Sequence, residues 1–122
     1  MNPCQQFKIK ILIFCFQKNV FSGGNDEKVL VHDLKTGQTL DVFPHDDPVY
    51  CVSPHPSHPE LFATACSDGR ILLFDLRSSN SDPIELQSTG FPFHGVNYNP
   101  IDPRLLVTAN QNQGVFLIDA RR

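Results

Sequence analysis

The sequence of 122 residues contains no tryptophan and no excess of positive charge. Its 10 lysines and arginines are outnumbered by 13 aspartates and glutamates, which gives a formal net charge of −3. This balance argues against a broad basic face for nucleic acid, so we expect no nucleic-acid partner. Hydrophobic residues make up 40% of the chain. That ordinary share excludes a long disordered tail and a collagen-like repeat.

The sequence also lacks an apolar run long enough to cross a bilayer, and we expect no membrane partner. Ile11–Phe16 is a run of six apolar residues behind two lysines, a pattern that faintly resembles a signal peptide. The run is shorter than the hydrophobic region of a usual signal peptide, and no small-residue cleavage site follows it. Its length and its β-branched residues favour a buried strand.

No two of the four cysteines have the C-x-x-C spacing that would indicate a zinc site or a thioredoxin-like redox motif. Their even number leaves a disulfide framework open, but no convincing secretory signal supports one. Cys51 and Cys66 stand in apolar, strand-like runs, where a free cysteine packs as a small hydrophobic residue. We therefore predict reduced, structural cysteines in an intracellular protein of the nucleus, the cytoplasm or both.

The chain does contain an internal repeat in three copies. The copies end at Asp33, Asp75 and Asp119, so the periods are 42 and 44 residues. Each copy has an apolar stretch, a polar turn and a second apolar stretch, which predicts a β-hairpin. Four short strands in roughly 40–45 residues is the period of a propeller blade. The repeat therefore predicts an all-β fold of about three four-stranded antiparallel blades.

The end of each copy resembles the Trp-Asp signature of WD-repeat β-propellers. The signature positions hold His32-Asp33, Phe74-Asp75 and Ile118-Asp119. Pro44-His45 stands where the family has its Gly-His element. The resemblance implies that the chain is a partial WD-repeat β-propeller.

The resemblance also implies where the blades lie. It covers residues 19–122 and leaves 1–18 as a poorly matching N-terminal segment, for which we expect a strand. The blades are predicted at about 19–43, 44–87 and 88–122, with the last one incomplete. Since a closed propeller has about four to eight blades, we expect a truncated isoform, an incomplete gene model or part of a longer chain. On its own, such a piece is expected to be unstable or to associate.

One set of polar residues has the composition of a catalytic triad. His45, Thr64 and Asp68 supply a base, a hydroxyl nucleophile and an orienting acid. The first copy offers the same residue types in Ser22, Asp26 and His32. An enzyme needs one site and not one per blade, so recurrence favours the structural hydrogen-bond network that the WD resemblance implies. We therefore expect no enzymatic activity.

The third copy departs from this pattern. Asn112 replaces the aspartate, and Thr89 stands where the histidine is expected. We therefore predict that the third blade relies more on apolar packing than the other two.

Two other motifs point only weakly to ligands. His55 and His58 form an H-x-x-H pair among prolines, but two ligands in a mobile loop make a weak metal site, and a solvent-exposed loop is favoured. The stretch 22–25 resembles a phosphate-binding glycine loop but lacks the required spacing, so it predicts a hairpin turn. We expect neither a metal nor a cofactor.

Arginine follows two of the closing aspartates at the same distance. Arg77 stands two residues after Asp75, and Arg121 stands two residues after Asp119. Residues two apart in a strand share a face, so each Asp and Arg could pair locally. Alternatively, the arginines anchor a partner at one rim of the propeller, because arginine is enriched at interface hot spots.

Consecutive boxes of this W-D-x-R type resemble the substrate receptors of cullin-4 ubiquitin ligases, as do the stretches 20–27 and 39–43. The resemblance implies that the four Asp and Arg residues help to dock the chain to the adaptor, damaged-DNA-binding protein 1, and through it to cullin-4. It implies a non-catalytic interaction scaffold within a substrate receptor for an unidentified protein substrate. The alternative is a generic WD scaffold of another assembly, such as chromatin or trafficking machinery.

Overall fold

Alternating apolar residues and polar turns fold the chain into three antiparallel sheets. The computed structural model describes residues 11–16, 19–78 and 82–120. Blade 1 contains β1 (Ile11–Phe16), β2 (Asn19–Gly24), β3 (Lys28–Asp33) and β4 (Thr39–Pro44). Blade 2 contains β5 (Val49–Pro54), β6 (Leu61–Cys66), β7 (Arg70–Asp75) and β8 (Ile84–Ser88). Blade 3 contains β9 (Phe93–Tyr98), β10 (Leu105–Asn110) and β11 (Gly114–Asp119).

The strands follow one another across each sheet, so each blade is a meander of hairpins. The only helical element in the described part of the chain is the 3₁₀ turn Leu76–Ser78. The predicted all-β class with antiparallel blades is therefore confirmed. Among these residues, no helix has the length and apolar character needed to cross a membrane.

Strand β1 supplies the fourth strand of blade 1. It pairs antiparallel with β2, with Phe14 opposite Phe21 and Phe16 opposite Asn19. It lies within residues 1–18, the segment that matches the repeat poorly. This backbone pairing extends the first sheet by one strand.

The first core cluster lies between blades 1 and 2. Strand β6 directs Phe62 toward blade 1, and the ring of Phe62 meets the rings of Phe21 at 5.0 Å and Phe43 at 5.1 Å. Phe74 of β7 stacks on Phe62 at 5.2 Å. The other buried residues of this cluster are Val29, Val31, Val49, Val52 and Leu72. Phenylalanine thus joins the first two blades.

The second core cluster lies between blades 2 and 3 and uses the other face of β6. That face carries Ala63 and Ala65, both fully buried. These small side chains leave room for the larger residues of blade 3, including Phe93 and Leu106. Because β6 is buried on both faces, its sequence reads as a continuous apolar run with one polar interruption, Thr64.

The far face of blade 3 is apolar at the same repeat positions. Val107, Val115 and Leu117 stand 44 residues after Ala63, Ile71 and Leu73. Ala63 and Ile71 are fully buried under blade 3, whereas Val115 and Leu117 are 73% and 67% exposed. The chain therefore presents an apolar sheet face built on the same positions that join its own blades.

Candidate functional site at the two rims of the blades

The predicted network includes one buried pair, His45 and Thr64, near the edge of the sheets that we call the histidine rim and define by His45 and Asp68. His45 lies between β4 and β5, and its Nδ1 donates to the Phe43 carbonyl at 3.0 Å. With that proton assigned, Nε2 accepts from the Thr64 hydroxyl at 2.9 Å. Burial lowers the pKa of His45, which keeps the imidazole neutral. The pair ties the end of blade 1 to the centre of blade 2.

Asp68 does not orient His45 through a hydrogen bond. Its carboxylate accepts from the backbone N–H of Arg70 at 3.2 Å and from Arg70 Nε at 2.7 Å, so it holds the turn between β6 and β7. The Thr64 side chain is fully buried. A hydroxyl without solvent access, beside a histidine whose Nδ1 is held by a backbone carbonyl, lacks the triad geometry of a hydrolase. In this structure Thr64 and His45 satisfy each other's buried polar groups, and Asp68 holds a turn.

Blade 1 contains a shorter version of the network. Ser22 Oγ bonds His32 Nε2 at 3.1 Å, and His32 Nδ1 bonds Thr39 Oγ1 at 3.1 Å. His32 stands at the tryptophan position of the signature and bonds the strand hydroxyl through a ring nitrogen. Asp26 lies exposed in the turn between β2 and β3, away from this pair.

Blade 3 builds its network on a residue that sequence reasoning missed. The side-chain amide of Asn110, only 7% exposed, donates to Thr89 Oγ1 at 3.0 Å and to the Phe91 carbonyl at 2.9 Å. Thr108 donates to Gln87 Oε1 at 3.0 Å. The expected reliance on apolar packing is therefore replaced by an asparagine network. Asn110 stands 44 residues after Cys66. A polar residue at a strand position that is apolar in blade 2 was the clue that the sequence offered.

We expect Thr64→Val to lower the free energy of unfolding by about 1–3 kcal/mol. The change keeps the volume but leaves buried His45 Nε2 without its donor, and an orphaned buried polar group costs about this much. Urea unfolding followed by circular dichroism measures the loss. Thr64→Ser is the matched control, because it keeps the hydroxyl. Equal stability of the valine and serine variants would contradict the structural role.

The opposite edge of the sheets, which we call the arginine rim and define by Arg77 and Arg104, carries exposed charge. Arg77 forms a fork with Asp75, with Nε 3.1 Å from Oδ1 and Nη2 2.9 Å from Oδ2. These hydrogen bonds lower the pKa of Asp75. The Arg77 side chain is 70% exposed, and the Glu60 carboxylate lies 3.9 Å from its Nη2. Local pairing and availability to a partner therefore coexist.

Of the second predicted pair, Asp119 and Arg121, the structure describes only the aspartate. Asp119 ends β11, at the position that Asp75 has in β7, and it is exposed. Arg121 lies outside the described residues.

A second fork on this rim was missed from the sequence. Arg104 Nε lies 2.8 Å from Asp102 Oδ1, and its Nη2 lies 2.9 Å from Oδ2. The Asp-x-Arg spacing was the available signal, and it also occurs at Asp68 and Arg70. The sequence-based prediction used this spacing only where the aspartate closes a repeat.

The H-x-x-H pair does not form a metal site. His55 is buried, unlike the solvent-exposed loop expected, and its Nδ1 accepts from the backbone N–H groups of Ser57 and His58, each at 3.0 Å. His58 is exposed and lies 3.6 Å from Glu60. Within the described ranges, no group of three or more histidine, cysteine, aspartate or glutamate residues could hold a metal.

The stability of the chain is expected to fall as the pH drops from about 7.5 to about 5.5. Burial, and then the nearby His58, lower the pKa of His55, so the unfolded chain binds its proton first as the pH falls through about 6.5. Protonation would also remove the acceptor that caps the loop. Buried His45, whose pKa is also lowered, contributes to the same fall, so His55→Asn should reduce the slope without removing it. Asparagine can replace the cap, because Asn99 accepts equivalent backbone bonds in blade 3. Melting temperatures across this pH range test it; identical slopes would contradict it.

The two cysteines whose side chains the structure describes, Cys51 and Cys66, are free thiols. Cys66 donates to the Asp47 carbonyl at 3.3 Å. Burial raises the pKa of this thiol to about 11, which leaves it protonated and unreactive near neutral pH. These cysteines act as small core residues.

Both the sequence and the structure of the chain are similar to those of known proteins. The family described as "WD domain, G-beta repeat" matches residues 37–75. A β-propeller domain of Cps50 (Swd1) from Myceliophteria thermophila superposes with a TM-score of 0.81 at 18% identity, over 93% of this chain and 36% of that one. This likeness shows the fold.

Several curated proteins are similar in sequence. The "DDB1- and CUL4-associated factor 5" proteins of Homo sapiens and Mus musculus are each 47% identical over 93 residues, which is 71% of this chain. A "Ribosome biogenesis protein WDR12 homolog" of Chlamydomonas reinhardtii is 32% identical over 75 residues. The chain spans 10% of the length of the first two relatives.

Proposed function

Since this chain carries WD repeats stacked as β-propeller blades, we propose that its scaffold is part of a substrate receptor for a cullin-4 RING ubiquitin ligase. In this proposal it docks through its arginine rim to the adaptor, damaged-DNA-binding protein 1, and works without catalysing a reaction. Its place in the cell would be the nucleus, the cytoplasm or both.

The observation that carries the proposal is the 47% identity to proteins named DDB1- and CUL4-associated factor 5. The geometry of the arginine rim agrees with it. The Asp75 fork orients the Arg77 guanidinium, so less side-chain freedom is lost when a partner binds. Orientation and exposure together suit a hot-spot residue.

A second candidate is a scaffold for a different assembly. It is favoured by the 32% identity to a protein named as a ribosome biogenesis protein. Adaptor binding separates the two candidates, because only the first requires it.

We expect purified damaged-DNA-binding protein 1 to bind the chain and the Arg77→Ala, Arg121→Ala double variant to bind at least about tenfold more weakly. Loss of an oriented arginine at an interface commonly costs this much. Biolayer interferometry measures both affinities, with Lys28→Ala on the opposite rim as the control. Undiminished binding by the double variant would remove these residues from the interface. No binding by the parent chain would favour the second candidate.

A further inference from the structure

A crevice of about 300 Å³ opens on the arginine rim between blades 2 and 3. Its wall is apolar, formed mainly by Leu61, Leu73, Tyr98 and Ala120. Charged or titratable groups stand beside it at His58 and Arg104. The crevice has room for one large side chain of another molecule.

The crevice is open because blade 3 lacks a side chain that blade 2 possesses. Ala120 stands 44 residues after Leu76, and the two backbones are held alike. The Leu76 N–H donates to the Glu60 carbonyl at 2.7 Å, and the Ala120 N–H donates to the Arg104 carbonyl at 2.7 Å. Leu76 packs against the core cluster between blades 1 and 2. A single methyl group at residue 120 cannot fill the equivalent space.

One charged position at the mouth also differs in sign between the two blades. Glu60 in blade 2 corresponds to Arg104 in blade 3. Glu60 places a carboxylate 3.9 Å from Arg77 Nη2, whereas Arg104 presents a guanidinium whose side chain is 59% exposed. The fork with Asp102 uses Nε and Nη2, and the charge of Asp119 also acts on Arg104, but the fork does not use the N–H groups of Nη1. The mouth therefore offers donors suited to a carboxylate.

We propose that this crevice is a docking pocket for a partner protein that inserts one apolar side chain and sets a neighbouring carboxylate against Arg104. The hollow fits the apolar group, and the N–H groups of Arg104 that the Asp102 fork does not use are the donors for the carboxylate beside it. The proposal rests on the proposed function in one respect, since it takes the adaptor as the partner.

Two substitutions test the pocket by introducing the residue that stands at the equivalent position in blade 2. Ala120→Leu should fill the crevice as Leu76 fills its counterpart, and Arg104→Glu should restore the charge of Glu60. Each is expected to weaken binding of damaged-DNA-binding protein 1 about tenfold, measured by biolayer interferometry. The controls are Ala120→Ser, which keeps the hollow, and Lys28→Glu, which makes the same charge change at the other rim. Thermal melting verifies that each variant is folded.

A short peptide separates this proposal from the adaptor. Acetyl-Leu-Asp-amide, titrated into the ¹⁵N-labelled chain, should shift the amide signals of Tyr98, Ala120 and Arg104, and Ala120→Leu should abolish the shifts. Such shifts without adaptor binding would support the pocket and refute the adaptor as partner. Adaptor binding that depends on Arg77, is indifferent to Ala120→Leu and Arg104→Glu, and is accompanied by no peptide shifts would overturn the pocket and leave the proposed function standing.

Discussion

Replacing Phe62 by alanine is expected to lower the free energy of unfolding by about 3–5 kcal/mol, the usual cost of removing a fully buried ring. The side chain is 0% exposed and touches three other phenylalanines. Its ring centroid lies 5.0 Å from Phe21, 5.1 Å from Phe43 and 5.2 Å from Phe74. Two of these rings belong to blade 1, so the substitution leaves a cavity at the joint between two blades.

Urea unfolding measured by circular dichroism and by intrinsic tyrosine fluorescence tests this prediction. Ile101→Ala is the control, because that side chain is 93% exposed in a loop and should change stability by less than about 0.5 kcal/mol. If Phe62→Ala cost no more than Ile101→Ala, the joint between blades 1 and 2 would not have the packing described.

Gly69→Ala is expected to destabilise the chain by about 1–3 kcal/mol more than Gly114→Ala. Both glycines have positive φ, 89° and 84°, so alanine pays a similar backbone cost at each. A Cβ on Gly69 would stand 2.2 Å from the Thr89 carbonyl oxygen, whereas a Cβ on Gly114 meets nothing within 4 Å. The added difference reflects overpacking against backbone.

The strain that alanine would introduce at residue 69 cannot relax easily, because a hydrogen bond holds this turn in place. The Thr89 N–H donates to the Gly69 carbonyl at 2.7 Å, so the turn of blade 2 is bonded to the connection that enters blade 3. Thermal and urea unfolding of the two variants, side by side, measure the difference. Equal losses would show that backbone conformation alone sets the cost and that the two segments separate freely.

The repeat made the fold predictable from the sequence, because a hairpin depends on local alternation and turn residues. Strand β6 ends at Cys66 and strand β7 ends at Asp75. Both ends agree with the two apolar stretches predicted for the second copy. Strand β1 is different. Its apolar, β-branched run predicted a strand, but its pairing with β2 as the fourth strand of blade 1 left no motif in the sequence.

The site was less predictable, because its parts depend on distances between blades. The bond from His45 to Thr64 follows from the repeat pattern. The buried role of Asn110 depends on how closely Thr89 approaches it from the preceding connection. The crevice at Ala120 exists only because blades 2 and 3 stack as they do, so no spacing within one copy could have shown it.

Hydrogen–deuterium exchange of the chain with and without damaged-DNA-binding protein 1 tests the central claim most directly, because it shows which rim the adaptor covers. We predict slower exchange at Leu76–Ser78 and at residues 99–104 on the arginine rim. The turn at residues 67–69 on the histidine rim should exchange at the same rate in both samples. Protection of that turn, with none at the arginine rim, would contradict the account.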